Sequence, residues 1–247
     1  LNQRAKIKSW YYRTGRNSQQ GSVVVEKKLT SAPTVAAMQA ASVRILLIER
    51  AVPRPNQDAG SVMIHNFIRV FRARGYAVSF LPMDLTFDPA YTPALEDLGV
   101  ECLHIPYISS IEAYLAAHGR DFNAILVCRP DATDALLPLF KKHAPQASLL
   151  YETHDLHFVR EERQAEIEQN SQLLKQAGWR KKQELRIAAS VDCTIVVSEQ
   201  ERTILLQNDP SLYVEVIPVI DEIHGCHTGY EKRRDLVFIG GYEHRPN

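Results

Sequence analysis

The sequence predicts an α/β protein in which a parallel β-sheet carries helices on both faces. Short runs of β-branched and other apolar residues alternate along the chain with longer segments of helical periodicity. The apolar runs lack polar alternation, which is typical of strands that are buried on both faces. Because the carboxyl ends of parallel strands meet at one edge of a sheet, we expect a ligand site in the loops at that edge.

The elements follow from this periodicity. The predicted strands span residues 43–48, 76–81, 99–105, 124–128, 148–151, 193–197 and 214–217, with one more at 235–241. The predicted helices span residues 61–74, 93–98, 111–118, 134–142, 159–190 and 199–206. Gly75 is placed to end the first helix. The long segment 159–190 has a predicted break near Gly178.

Composition and charge exclude several classes of protein. The 29 Lys and Arg residues balance 29 Asp and Glu residues, so the formal net charge is zero. A nucleic-acid-binding protein usually carries a strong basic excess, so we expect no nucleic-acid partner. Hydrophobic residues make up 45% of the chain, which excludes wholesale disorder. No apolar run approaches the roughly 18 residues of a membrane-spanning helix.

The chain divides into three predicted parts. Residues 1–42 form a basic tail of net charge +6, whereas residues 43–247 have a net charge of −6. The tail's Ser, Gln, Asn and Gly content favours a solvated linker, and contact with an anionic membrane surface or an acidic neighbour remains the alternative. Residues 43–220 are predicted to form one α/β domain. Residues 221–247 are predicted to form an interdomain connection and the first strand of a truncated second domain. The initial Leu1 indicates either a piece of a longer chain or a processed one.

The four cysteines indicate a reducing, cytoplasmic location. They contain no C-x-x-C pair, and Cys128 and Cys193 lie in apolar runs where a thiol behaves as a small hydrophobe. His224, Cys226 and His227 would suit zinc, but no second ligand pair follows at metal spacing. We therefore expect no metal site.

The first polar loop follows the first predicted strand. It contains Asp58, Gly60 and Ser61 at the start of a predicted helix. The N–H groups and positive dipole end of such a terminus suit a phosphate group. The alternative is that Asp58 or Ser61 only caps the helix. The loop is neither a G-x-G-x-x-G nor a G-x-x-x-x-G-K-[ST] sequence, which disfavours a dinucleotide in its usual pose and excludes a P-loop enzyme.

The densest polar cluster follows the strand at 148–151. His154, Asp155, His157 and Arg160 come within ten residues, with Glu152 before them. A carboxylate beside an imidazole can fix its tautomer and tune its pKa for hydrogen bonding or proton transfer. The alternative is that Asp155 caps a helix and both histidines are ordinary loop residues. A metal bound through the two histidines would lack a third ligand.

Three further loops hold weaker candidates. Ser198 and Glu199 follow the strand at 193–197, where Ser198 and Glu201 also form a capping-box sequence. Gly240 and Gly241 would let a backbone approach a ligand closely. Arg129, after the strand at 124–128, is a lesser candidate.

Four segments taken in order resemble one family. They are residues 44–61 (RILLIERAVPRPNQDAGS), 151–163 (YETHDLHFVREER), 196–202 (VVSEQER) and 238–247 (FIGGYEHRPN). The sequence resembles the GT-B glycosyltransferases of the retaining family-four type, bacterial enzymes that build surface polysaccharides, over about residues 43–247. The resemblance implies two Rossmann-like domains that face each other across a cleft, the N-terminal one mostly for acceptor and the C-terminal one for most of the nucleotide-sugar donor.

The resemblance also implies an activity. It is the transfer of a sugar, with retention, from a nucleotide-sugar donor to a glycan or lipid-linked acceptor. The donor is a substrate, and these enzymes commonly need no metal. The family's Glu-x7-Glu region and its Arg/Lys phosphate clamp belong to the C-terminal domain, so the resemblance implies a half that is inactive alone. It further implies a cytoplasmic protein, with peripheral contact at the inner face of the membrane as an option.

The resemblance implies roles for particular residues. Gly60 and Ser61, with Asp58 beside them, match the glycine loop that approaches the donor phosphates. His154 matches a histidine that contacts the donor sugar near the reacting carbon, and the resemblance makes His154 and Asp155 the expected catalytic pair. The other expected binding residues are Asp155 and His157, which face the acceptor, Arg160 near them, Ser198 and Glu199 at the cleft, and Gly240 and Gly241 in the first loop of the donor domain.

Two other functions remain open at this point. A GT-B sugar-nucleotide epimerase shares the fold and the His- and Glu-rich strand ends. A non-catalytic α/β module of a larger assembly would use the tail or residues 159–190 for contacts. An intact Glu-x7-Glu region and Arg/Lys pair downstream would favour the transferase.

Overall fold

A computed structural model describes residues 43–220, 225 and 228–237. Its seven strands form one parallel sheet in the order β3-β2-β1-β4-β5-β6-β7, which confirms the predicted Rossmann-like α/β fold. The strands are β1 (Arg44–Glu49), β2 (Ala77–Pro82), β3 (Glu101–Cys102), β4 (Ala124–Cys128), β5 (Ser148–Glu152), β6 (Cys193–Val196) and β7 (Val214–Val216).

Seven α-helices connect the strands in the described part of the chain. They are α1 (Ala59–Ala73), α2 (Thr92–Asp97), α3 (Ile111–His118), α4 (Pro130–His143), α5 (His157–Ile167), α6 (Ser171–Ala188) and α7 (Glu199–Asn208). Short 3₁₀ turns lie at Gly119–Asp121 and Tyr230–Lys232. In these residues no helix combines the length and the apolar character needed to cross a lipid bilayer.

The core is divided between the two faces of the sheet. Along β1, Ile45 and Leu47 pack in a cluster that contains the buried apolar residues of α1, whereas Leu46 and Ile48 pack in a second cluster with residues of α3 and α4. Successive strand residues point to opposite faces, so the continuous apolar run fills both layers. A smaller cluster joins β6 and β7 to α5, α6 and α7.

The strand order reverses between β1 and β4. The chain moves from β1 outward to β2 and β3, then returns to β4 on the other side of β1, and continues outward. β1 and β4 pair directly, with Leu47 opposite Leu126. The loops that follow these two strands leave in opposite directions, and the crevice between them is where such sheets bind ligands.

Several predicted boundaries are wrong. The strand predicted at 99–105 is only two residues long, Glu101–Cys102. α4 begins at Pro130 rather than at residue 134, because proline is well suited to the first turn of a helix. The segment 159–190 is broken at Asn170, whose side chain caps α6, and Gly178 lies inside α6. Gly75 follows α1 with φ +77°, as predicted.

The chain beyond β7 is described only in part. The strand predicted at 235–241 is not observed in its described portion, where Asp235 forms a bend and Leu236 and Val237 are exposed. The remainder of that strand, Gly240, Gly241 and the group His224, Cys226 and His227 lie outside the described residues. The predicted basic tail 1–42 lies outside them as well.

Candidate functional site

The charged side chains nearest the strand reversal come from three strand ends. Glu49 is the last residue of β1, Arg129 follows β4 and Glu152 is the last residue of β5. His154 comes two residues after Glu152. Because β4 lies between β1 and β5 in the sheet, these four residues share one short stretch of its carboxyl edge.

His154 lies between two buried carboxylates. Its Nε2 is 2.9 Å from Oε2 of Glu49, and its Nδ1 is 3.0 Å from Oε2 of Glu152. The second contact is an ion pair without hydrogen-bonding geometry, because neither Nδ1 nor that oxygen has a hydrogen-bond partner. The backbone N–H of His154 also donates to Oε1 of Glu152, at 2.7 Å. The His154 side chain is 9% exposed, and that of Glu152 is fully buried.

These carboxylates keep His154 positively charged. Burial alone would lower its pKa, but the negative charges of Glu152 and Glu49 and the hydrogen bond with Glu49 raise the pKa of His154 to about 10. Burial would likewise raise the pKa of Glu49, but His154 and Arg129 lower it to about 2. Near neutral pH the imidazole is therefore an imidazolium ion whose two nitrogens face carboxylates. It is not available as a general base.

The backbone around this cluster is strained. Arg129 has φ 72° and His154 has φ 61°, a left-handed conformation that costs a non-glycine residue about 1–3 kcal/mol. Arg129 also places its Nε 2.6 Å from Oε1 of Glu49. His154, with its own positive φ, contacts Glu49 and Glu152 at the ends of β1 and β5. Strain of this kind persists where surrounding contacts enforce it, as at binding sites.

The start of α1 lies against His154 and Arg129. A Cβ atom at Gly60 would be 3.4 Å from Cε1 of His154, 3.5 Å from Nη2 of Arg129 and 3.2 Å from Oδ1 of Asp58. Asp58 is the N-cap, and its side chain accepts from both the N–H and the hydroxyl of Ser61. The capping interpretation of Asp58 is thus correct. The N–H of Ser61 is engaged by this cap, and the N–H groups of Ala59 and Gly60 belong to the first turn, where a helix has no acceptors of its own.

The side chains of Asp155, His157 and Arg160 form a second charged cluster, which directly follows His154 in sequence. Asp155 forms an ion pair with Arg160, and its Oδ1 lies 3.4 Å from Nε2 of His157. Burial lowers the pKa of His157 to about 4, and Arg160 and other arginines oppose the effect of Asp155. His157 is therefore neutral near pH 7. Asp155 and Arg160 are each about one-third exposed, so they present a carboxylate and a guanidinium to solvent.

Glu184 holds the beginning of α5 in place. This fully buried carboxylate accepts hydrogen bonds from the backbone N–H groups of His157 and Phe158 and from the hydroxyl of Tyr151. Asp155 does not cap this helix, since Leu156 is the N-cap residue and the acceptor comes from α6. Burial raises the pKa of Glu184 to about 7 against these hydrogen bonds.

Ser198 and Glu199 lie at the start of α7. Ser198 caps that helix, with its Oγ accepting from the N–H of Glu201 at 3.3 Å. Glu201 does not complete a reciprocal box with Ser198. Its carboxylate accepts instead from the N–H groups of Leu156 and Val197, which fixes the loop after His154 to the end of β6. Glu199 is exposed and forms an ion pair with Arg202.

One buried group has the composition of a metal site. Glu49, Cys128 and His154 place ligand atoms within 4.8 Å of one another. Burial, together with the charges of Glu49 and Glu152, raises the pKa of the Cys128 thiol well above its usual value. A metal ion would have to displace that proton, a proton of His154 and the guanidinium of Arg129. The residues present therefore fit a metal ion poorly.

Sequence reasoning missed the most buried charges of this site. From sequence, neither Glu49 nor Glu152 is predicted to have a role of its own, and Glu184 falls within a long charge-rich helical segment. The available signal was position, since Glu49 and Glu152 each end a buried strand at the binding edge. No pattern near Glu184 indicates that it caps another helix.

Comparisons with known proteins add no further assignment. Neither the comparison with protein-family models nor that with curated proteins finds a match for this chain. The class of the molecule therefore rests on its fold and geometry. It is a Rossmann-like α/β protein with a cluster of buried charges at the reversal of strand order.

Proposed function

We propose that the chain is the acceptor-side domain of a retaining glycosyltransferase that uses a nucleotide-sugar donor. The observation that carries the proposal is the approach of Gly60, in the first turn of α1, to His154 and Arg129 at the strand reversal. This places the positive end of a helix dipole beside a surface rich in hydrogen-bonding groups. A nucleotide sugar carries a group that complements each of these features. Its anionic diphosphate suits the positive helix end, and its polyhydroxylated ring suits the hydrogen-bonding groups.

The charges support specific roles for the loop residues. Sugar transfer with retention passes through a cationic state at the sugar while negative charge grows on the departing diphosphate. In the proposal, the first turn of α1 and Arg129 face the growing negative charge. Asp155 and Arg160 form hydrogen bonds with hydroxyl groups of the acceptor or the sugar.

His154 has a positioning role in this proposal. Its nitrogens are engaged by Glu49 and Glu152, so it neither accepts a proton nor donates to a substrate in this arrangement. Instead it joins the loops after β1 and β5 and keeps Gly60 close to the reacting groups. A donor-binding domain is also needed, so the activity is proposed for the full-length protein that contains this chain.

A transfer assay tests the proposal. The full-length protein is incubated with a panel of nucleotide sugars and saccharide acceptors, and products are identified by mass spectrometry. We expect a glycosylated acceptor, and Asp155→Asn is expected to reduce its formation at least tenfold. Asp121→Asn is the control, because Asp121 precedes β4 at the opposite edge of the sheet.

Two results would contradict the proposal. Conversion of the donor into its sugar epimer without transfer would identify an epimerase. Failure to consume any nucleotide sugar, with the fold intact by circular dichroism, would remove the enzymatic assignment.

A further inference from the structure

We propose that the pocket between the outer edge of β3 and α3 binds a sugar that carries an acylamino group, such as an N-acetylamino sugar. The inference goes beyond the proposed function and does not depend on it. The pocket lies beside the outermost strand, two strands away from β1, and its lining shares no residue with the charged cluster at the strand reversal. Its volume is about 490 Å³, within the roughly 300–1,000 Å³ range of small-molecule sites.

The backbone of Cys102 supplies a donor and an acceptor at the edge of this pocket. Cys102 lies opposite Phe80 in the pairing of β2 with β3, and the N–H of Leu103 donates to the carbonyl of Phe80 at 2.8 Å. Because the hydrogen-bonding direction alternates along a strand, the residues on either side of Cys102 bond toward β2 and Cys102 points its N–H and C=O outward. In the described part of the sheet no strand lies on that outer side of β3. The two groups therefore suit a ligand amide, which offers one N–H and one C=O.

The neighbouring residues of this edge are already engaged in local turns. The N–H of Val100 donates to the carbonyl of Leu95 at 3.2 Å. The carbonyl of His104 accepts from the N–H groups of Tyr107 and Ile108. An extended peptide that added a strand here would need a ladder of such pairs on alternate residues. A single acylamino group needs only one donor and one acceptor, so it matches this edge better than a peptide does.

The side chains of the pocket combine an aromatic ring with polar groups, as a sugar ring requires. Tyr107 lines the pocket and is 78% exposed, and its ring lies nearly perpendicular to that of His104 at a centroid distance of 5.1 Å. The C–H groups on one face of a sugar ring pack on such an aromatic surface, while the hydroxyl groups at its rim need hydrogen-bond partners. Glu101 and His118 also line the pocket. The hydroxyl of Ser79 donates to Oε2 of Glu101 at 2.6 Å, which leaves Oε1 to accept from a ligand hydroxyl.

A small apolar surface completes the pocket. Leu103 and Ile108 line it and are buried. Ala113 and Ala117, one turn apart on α3, line its opposite wall, where their short side chains leave space between helix and strand. This surface suits the methyl group of an acetamide whose N–H and C=O pair with Cys102.

Calorimetric titration of the full-length protein tests the inference. The ligands are the methyl glycosides of N-acetylglucosamine, glucosamine and glucose, which differ only in the group at one ring position. We expect the N-acetylamino sugar to bind at least tenfold more tightly than the other two. Equal affinities for the three sugars, or tighter binding of the free amine, would overturn the inference. So would equally tight binding of N-acetylalanine methylamide, since the pocket would then recognise a peptide.

Two matched pairs of variants locate the site. Ala117→Leu fills the pocket and should weaken binding at least tenfold, whereas Ala116→Leu is the control, because Ala116 is exposed on the same helix and does not line the pocket. Tyr107→Ala should weaken binding at least fivefold. Its control is Phe87→Ala, because Phe87 also packs on His104, at 5.0 Å, but does not line the pocket. Equal effects within either pair would overturn the inference.

The amide of Cys102 gives a direct readout of the proposed pairing. In NMR spectra of the cysteine-labelled protein, assigned with Cys102→Ala, the Cys102 amide signal should shift on titration with the N-acetylamino sugar and stay in place with the glucose glycoside. A Cys102 signal that is unchanged at saturation would overturn the inference. These measurements need no sugar transfer, so their failure would leave the proposed function intact, and an absence of transfer would leave the pocket intact.

Discussion

Nε2 of His154 lies 2.9 Å from Oε2 of Glu49, although 105 residues separate them in sequence. The contact joins the loop after β5 to the end of β1 across the intervening strand β4. It depends on the strand order, because only a sheet in which β4 returns beside β1 brings these ends together. The relationship therefore couples the geometry of the candidate site to the topology of the whole domain.

The pKa values of the two histidines of the site should be shifted in opposite directions. His154, with a pKa of about 10, is expected to remain an imidazolium ion from pH 5 to pH 9. His157, with a pKa of about 4, is expected to be neutral over the same range. Side-chain nitrogen shifts in NMR spectra of the histidine-labelled protein measure both states, with His154→Gln and His157→Gln used for assignment. A titration midpoint for His154 near the ordinary value of 6.5 would contradict the stabilisation of its imidazolium form by Glu49 and Glu152.

Stability should depend on the same charge. The pKa of His154 is raised above the unfolded value of 6.5, so its contribution is complete below pH 6.5 and is lost as pH rises through about 10. We expect His154→Gln to lower the free energy of unfolding by about 3–5 kcal/mol at pH 6, because two buried carboxylates lose their shared cation. Urea unfolding should show this difference becoming smaller toward pH 10. If the difference in the free energy of unfolding between the parent and His154→Gln did not change with pH, stability would not depend on the protonation of His154.

Gly60 and Gly178 should respond differently to a methyl group. Gly178 lies within α6 with open space around its Cβ position, so Gly178→Ala should stabilise the protein by about 0.5–1 kcal/mol. Gly60→Ala would place its methyl 3.2 Å from the capping oxygen of Asp58, so it should lack this gain. Thermal unfolding measures both. A gain at Gly60 equal to that at Gly178 would show that the start of α1 is not tightly packed against the site.

Ser198 and Ser110 separate a capping role from a role in binding. Both are N-caps, Ser198 of α7 and Ser110 of α3. Each change to alanine should cost about 1 kcal/mol of stability. Only Ser198→Ala should also reduce sugar transfer, because Ser198 lines the same surface pocket as Asp155 and Arg160, whereas Ser110 does not. Equal activities of the two variants, measured well below their unfolding temperatures, would limit Ser198 to capping.

Glu184 should make its region less stable as pH rises. Its pKa is raised from 4.5 to about 7, so the folded state holds the proton more tightly than the unfolded state between these values. The free energy of unfolding therefore falls as pH rises from 4.5 to 7. Glu184→Gln should remove this trend. Glu184→Ala should instead cost about 1–3 kcal/mol, since the N–H groups of His157 and Phe158 lose their acceptor. A parent profile identical to that of the Gln variant would contradict the raised pKa.

Much of the fold could be predicted from local sequence. β4 and α3 have the predicted bounds, because a continuous apolar run and a well-capped periodic segment carry their own signals. The length of β3 could not be predicted, since only pairing with β2 decides how much of that apolar segment joins the sheet. The predicted break at Gly178 is wrong because glycine is tolerated inside a helix at a modest cost, whereas the Asn170 side chain caps a helix start.

The site was predictable by location more than by chemistry. The loops that contain Gly60 and His154 each follow a predicted buried strand, which predicts that they meet at one edge of the sheet, and Gly60 does lie against His154. The charge state of His154 could not be predicted, because it depends on Glu49, a residue far away in sequence. Gly240 and Gly241, outside the described residues, remain predictions.

Both outer strands of the described sheet are short, with two residues in β3 and three in β7. A long, flat outer strand would offer a row of unsatisfied N–H and C=O groups on which a foreign strand could assemble. Here the longer strands lie inside the sheet, and each edge strand offers only two or three residues for pairing with another strand. Each of these strands also carries a glutamate, Glu101 in β3 and Glu215 in β7, so the brevity and the charge of the outer strands together protect a highly apolar centre from fibril-like growth.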